Sequence, residues 1–208
     1  VYNIKARLDA ARKVMHAAQT VTWVNPGPSP VDELVFHIYP NRRYSKEEQD
    51  FMYRFGGYFK VNPYPEGFPG RAMDIAAVEI NGRALAHEIS GEDRTLLKVR
   101  LPAPLAAGEA VTVAMRYTLY LPHAYGRYGW HDNIIKLSRW YPALAVYQEG
   151  KWNTAPFFPF HRPFFSESAR YEVSLEAPPE YTVIHTGQKA GEEASGADKK
   201  LFFKTGLP

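Results

Sequence analysis

The chain of 208 residues contains no cysteine. That excludes a disulfide framework, a thiolate metal site and a cysteine nucleophile, and it leaves the compartment open. Excess charge of one sign is also missing: 25 Lys and Arg stand against 22 Asp and Glu, a formal charge of 25 − 22 = +3. A protein built to neutralise many phosphates carries a stronger basic excess or a clustered basic stripe, so no nucleic-acid partner is expected. No apolar run approaches the roughly 18 residues of a spanning helix, so no membrane segment is expected. There is no Gly-x-Ser-x-Gly elbow, no phosphate-cradling loop and no dinucleotide fingerprint. What the chain has in quantity is 14 Tyr, 12 Phe and 4 Trp, punctuated by 17 Pro and 15 Gly. Aromatic and turn-forming residues together favour sheet over helix bundle.

The expected fold class is therefore all-β, an antiparallel β-sandwich or saddle with one short helix near residues 45–55. Tyr2, Ile4, Ala6 and Leu8 alternate with polar residues, the period of a strand with one buried face. Val14 to Val24 repeats the pattern after a short turn and predicts a long antiparallel pair. The prolines of 25–30 interrupt any ladder, and a third strand is expected from Asp32 to Tyr39. Ser45 and Glu48 form a capping-box pattern, with Phe51, Met52 and Phe55 on one face and Gly56-Gly57 as the stop. Further strands are expected at Ile75–Ile80, Ala84–Ile89, Thr95–Leu101 and Val111–Leu121, with Asn81-Gly82 as a type I′ hairpin turn. Later ones fall near Ile134–Leu137, Ala143–Tyr147, Ala169–Glu176, Tyr181–Thr186 and Leu201–Thr205. The polar run Gln188 to Lys200 reads as a flexible hairpin tip. Residues 1–208 form a single β domain in this reading, with an internal sheet break near 122.

Chemistry-bearing patterns are sparse. His87-Glu88-Ile89-Ser90-Gly91 begins like a zinc-peptidase H-E-x-x-H segment and fails at its fifth position. His123, His131 and His161 fall in the loop-rich half, where they either converge with Asp132 or each rest on a backbone carbonyl; their spacing selects neither. Paired carboxylates flanked by aromatics, as glycoside hydrolysis needs, do not stand out. Trp152 to Phe165 packs six aromatics and three prolines into fourteen residues. Such a segment either wraps a sheet edge and plugs the core or presents an apolar surface to a partner. Trp152, Phe157, Phe158, Phe160, Phe164 and Phe165 are its candidate contact residues.

One order of phrases goes further. Arg139-Trp140-Tyr141-Pro142-Ala143, Gly150-Lys151-Trp152, Tyr171-Glu172-Val173, Ala177-Pro178 and Thr186-Gly187 follow one another as in the amino-terminal domain of zinc metallo-aminopeptidases. At the other end, Tyr2 to Asp9, Asn25 and Leu34 to Asn41 resemble that family's opening phrases. The resemblance, to the aminopeptidase N and leukotriene hydrolase type, covers most of the chain through moderately specific motifs. It implies a β saddle or sandwich preceding a thermolysin-like catalytic domain. That domain would carry the zinc ligands and the Gly-x-Met-Glu-Asn motif, both after Pro208. Gly70-Arg71-Ala72-Met73-Asp74 imitates the latter but lies too early and lacks the Asn.

The resemblance implies no catalytic residue, no metal ligand and no cofactor in this chain, with zinc in the catalytic domain of a parent protein. It implies as partners that downstream catalytic domain and a peptide substrate. Family members place a Gln or Glu just ahead of the aromatic-Pro segment to grip the substrate's amine. Nine residues before Pro142 stands Asn133, neither Gln nor Glu, beside the carboxylate of Asp132; these two are the substrate-rim candidates. The alternative is a stand-alone β-sandwich module that binds carbohydrate or peptide through the aromatics near Trp130 and Trp152. Neither a cytoplasmic nor an envelope or extracellular location is selected.

Overall fold

The computed structural model describes residues 1–156 and 164–205. Chain order gives β1 (Tyr2–Asp9), β2 (Val14–Val24), β3 (Val31–His37), a 3-10 turn (Tyr39–Asn41) and α1 (Lys46–Tyr58). Then follow β4 (Met73–Ile80), β5 (Arg83–Ala84), β6 (His87–Ser90), β7 (Leu96–Leu105), β8 (Ala110–Tyr120), β9 (Tyr128–His131) and β10 (Ile134–Leu137). The last are β11 (Ala143–Leu144), β12 (Tyr147–Gln148), β13 (Lys151–Trp152), β14 (Tyr171–Ala177), β15 (Gln188–Ser195) and β16 (Asp198–Lys204).

An eight-stranded sheet runs in the order β15-β16-β14-β1-β2-β8-β4-β5, and a four-stranded sheet in the order β11-β3-β7-β6. Pairings are antiparallel except β1 with β14, which is parallel. The alternation read in β1 is the observed one: Tyr2, Ile4, Ala6 and Leu8 are buried and the residues between them exposed. Along β2 and β8, Met15, Val21, Val113, Met115 and Leu119 meet Phe36, Leu97 and Val99 of the smaller sheet in one apolar cluster. Full burial of a side chain of this size contributes about 1.5–3 kcal/mol. Asn81 at φ 51° and Gly82 at φ 76° make the expected hairpin turn, since both central residues of that turn need positive φ.

Four local expectations are overturned. Gly56 does not stop α1, which continues to Tyr58. It is where the helix packs, since a Cβ there would lie 2.6 Å from the Val61 carbonyl oxygen and 2.7 Å from the Pro63 ring. Met52 and Gly56, one turn apart, therefore make the buried stripe, while Phe51 is 40% exposed. Tyr181–Thr186 is no strand, because Tyr181 N–H closes a turn onto the Pro178 carbonyl. The edge position beside β16 is taken by β15, the segment expected to be a hairpin tip. Lys189, Glu192 and Glu193 are exposed along it and it has no large apolar side chain, so backbone pairing builds the strand and charge protects the edge. The Ala143–Tyr147 segment also splits, into β11 against β3 and β12 against β13.

Candidate functional site

The rim candidates sit on a small hairpin. β9 pairs with β10 so that His131 opposes Ile134, leaving Asp132 and Asn133 as an exposed two-residue turn. Asp132 has φ 50°, a left-handed conformation that Asp tolerates better than most side chains. Gly129 sets the neighbouring loop against this hairpin. Its φ is 128°, and a Cβ would lie 2.4 Å from the Pro122 carbonyl oxygen, so only glycine admits the approach. Trp130 N–H then donates to Pro122 at 2.9 Å and Ala124 N–H to Trp130 at 2.9 Å.

That backbone exchange stacks the His123 ring on Trp130, with centroids 4.2 Å apart, and brings two imidazoles together. His123 Nε2 is 3.1 Å from His131 Nδ1. His123 Nδ1 lies 3.2 Å from Oε1 of Glu66, and His131 Nε2 lies 3.2 Å from Oδ2 of Asp132. The Tyr125 ring covers His131 at 3.5 Å between centroids. His123 and His131 thus converge with Asp132, one of the two arrangements the sequence left open, while His161 lies outside the described residues. Glu66 was not foreseen. It precedes His123 by 57 residues in a loop without periodicity, and no local signal marks it. His87 and Glu88 lie on β6, on a strand rather than the helix that a zinc-peptidase pair requires.

Beside the hairpin is a cavity of about 260 Å³, walled by Tyr39, Tyr44, Tyr64, Tyr125, Tyr128 and Phe164. Burial pushes the Tyr39 hydroxyl up to about 12 and raises those of Tyr44, Tyr64 and Tyr128 as well. These hydroxyls are neutral hydrogen-bonding groups at neutral pH, not bases. Tyr64 donates to Tyr44, and Tyr128 to the Tyr120 carbonyl.

The expected contact surface divides. Trp152 packs inward, against Trp23 at 5.1 Å and Tyr147 at 4.8 Å, and its Nε1 donates to the Glu33 carbonyl at 2.9 Å. Phe164 leans on Tyr39 and on the Arg139 guanidinium. Phe165 is 53% exposed. Phe157, Phe158 and Phe160 fall outside the described residues. Among the described residues no group of three or more His, Asp or Glu is arranged to hold a metal ion, and no helix is long and apolar enough to cross a membrane.

No family model and no curated protein matches the chain. Among solved structures it is similar to an M1 zinc metallopeptidase from Deinococcus radiodurans. That likeness has 15% identity and a TM-score of 0.59, over 98% of this chain and 37% of that one. It is likewise similar to a variant two-domain M1 zinc metallopeptidase bound to L-tryptophan, with 16% identity and a TM-score of 0.60, over 100% of this chain and 39% of that one. A Deinococcus radiodurans variant bound to a Tyr-Ser-Ala substrate gives 14% identity, a TM-score of 0.58, and 98% and 37% coverage. The fold of this chain thus recurs within M1 zinc metallopeptidase structures. The chain spans less than two-fifths of their length.

Proposed function

We propose that this chain is the non-catalytic amino-terminal β domain of a zinc-dependent metallopeptidase of the aminopeptidase type. It docks on the catalytic domain and forms one wall of the substrate cleft. The observation that carries the reading is the asymmetry of the structural likeness: essentially all of this chain, but only 37–39% of the metallopeptidase chains. The described residues fit no zinc centre, so no step of hydrolysis is assigned to them. In the parent, zinc would act from the other domain as a Lewis acid and activator of water. What this chain would supply is shape and charge at the cleft edge. The exposed Asp132–Asn133 turn presents a carboxylate suited to a substrate ammonium, and Phe165 offers apolar surface for docking.

The engagement of both indoles supports this reading over a sugar-stacking module. Trp130 is covered by His123, with the Lys13 ammonium 5.1 Å from its ring, and Trp152 is packed among the chain's own aromatics. Zinc analysis and an aminoacyl-amide hydrolysis assay on this chain test the proposal. Neither stoichiometric zinc nor turnover is expected, and finding both together would overturn it.

A further inference from the structure

We propose that the Arg139 guanidinium anchors a carboxylate-binding site, in which a small ligand rests its apolar part in a cavity beside β1 and β11 and its carboxylate on Arg139. The inference does not depend on a peptidase role. Among the described arginines only Arg42 and Arg139 are not exposed. Arg42 carries two carboxylates, Glu48 at 2.7 Å and Asp93 at 3.0 Å. Arg139 is half-buried, and among the described residues no carboxylate lies within ion-pair distance of it. A charge drawn partly out of water is ordinarily paired. The two arginines therefore differ in purpose: Arg42 is closed within the fold, and Arg139 keeps its charge for an anion from outside.

The guanidinium is held in place without being neutralised. Nη1 donates to the Tyr141 hydroxyl at 3.4 Å, and Nη2 donates to the Ser166 hydroxyl. Tyr141 donates in turn to the Tyr171 hydroxyl at 2.9 Å. Burial raises the Tyr141 pKa far above the ordinary tyrosine value, so this partner is a neutral phenol and no countercharge. Its ring stands edge-on to Tyr2 at 5.6 Å and to Tyr171 at 5.7 Å between centroids, which fixes the hydroxyl that the guanidinium grips. The Phe164 ring lies 5.6 Å from the guanidinium carbon and orients its plane. Two N–H groups of the fork are used in this way. Nε makes neither bond and is open to solvent, so the fork retains donors for a carboxylate.

Arg139 and Ser166 both line a cavity of about 300 Å³, at the lower end of the range of small-molecule sites. Its inner wall is apolar, since Tyr2, Trp23 and Ala145 are buried. At its rim Glu167, Ser168 and Arg170 are exposed. Glu167 is the only acid among the lining residues, and Arg170 sets a second positive charge against it. An apolar wall beside a preorganised cationic fork suits an amphiphilic carboxylate, such as an N-acyl amino acid or the last residue of a peptide.

The test is nitrogen NMR of Arg139 Nε–H and of the Trp23 indole in the 208-residue chain. The chain is titrated at low salt with N-acetyl-leucine, with its amide, and with the α-amide of N-acetyl-glutamate. N-acetyl-leucine is expected to shift both signals saturably, and its amide neither. In Arg139→Gln the dissociation constant should rise by about tenfold or more. Arg139→Lys, which keeps the charge and loses the fork, should fall between. Ser166→Ala removes an orienting hydroxyl and leaves the charge, so severalfold weaker binding is expected even if Arg139→Gln does not fold. Binding of either carboxylate probe supports the site, and the tighter of the two tells a chain terminus from an acidic side chain as the source. Equal shifts from the amide, no shift from any probe, or affinity indifferent to Arg139→Gln and Ser166→Ala would overturn it. So would an Arg139 Nε–H signal displaced in ligand-free Glu167→Gln, since the chain's own Glu167 would then be the partner.

Discussion

Between β2 and β8 the buried polar groups are isolated and permanently paired. Gln19 Nε2 donates to the Pro142 carbonyl at 2.9 Å, and its Oε1 accepts from the Tyr117 hydroxyl at 3.1 Å. Burial raises the Tyr117 pKa well above the ordinary tyrosine value, so this unit does not titrate near neutral pH. At the edge formed by the β9–β10 hairpin and the loops beside it, polar groups are instead linked in series. Glu66 Oε1 and His131 Nδ1 lie 3.2 and 3.1 Å from the two ring nitrogens of His123, and Asp132 Oδ2 lies 3.2 Å from His131 Nε2. The interior uses polar groups to fix one packing. The edge uses them to hold loops that sequence-local forces leave unspecified. Substitutions in the two regions should therefore fail differently, the first by global unfolding and the second by local release.

The largest effect is expected from Phe36→Ala, since Phe36 is fully buried between the sheets. Loss of about 3–5 kcal/mol in urea unfolding is predicted, with both regions melting together. Next comes Asn41→Ala. This buried amide accepts from Ala72 and Met73 N–H and donates to the Met73 carbonyl, so it splices the 3-10 turn to the start of β4. Stranding those buried groups should cost about 2–3 kcal/mol by the same measurement.

Gly129→Ala sharpens the contrast. The strain at φ 128° and the 2.4 Å approach to Pro122 should cost about 1–3 kcal/mol. Faster amide exchange is expected at Trp130 and Ala124, with β2 and β8 unchanged. A pH experiment separates the histidines themselves. His37 is buried with Nε2 3.0 Å from the Asn153 carbonyl oxygen, and burial lowers its pKa. The unfolded chain therefore binds the proton more readily, and stability falls as the pH drops below the ordinary imidazole value of about 6.5. His37→Gln should show a smaller stability difference between pH 7 and pH 5 than the parent sequence. The smallest effect is expected for Asp132→Asn, an exposed pair partner whose replacement tolerates the same φ. Global stability should change by less than about 0.5 kcal/mol.

The same division governs what was legible in the sequence. Strands with one buried face, such as β1 and β2, announce themselves by period, and the Ser45–Glu48 capping box appears as read. The edge strand β15 did not, because its pairing is backbone to backbone and its small or polar, mostly exposed side chains carry no apolar alternation. Gly56 was misread as a terminator because its role, close contact with Val61 and Pro63, exists only after the loop folds back. The His123–His131 approach was one of two open possibilities, and Glu66 was invisible, since tertiary contacts alone bring it there.

The central claim, that a β domain of this fold serves a metallopeptidase whose chemistry lies outside it, is tested most directly by the reading frame that encodes the residues following Pro208. The account predicts an in-frame H-E-x-x-H segment within the next domain length, on the order of 200 residues. A stop codon directly after Pro208, or a following domain without such a segment, would contradict it.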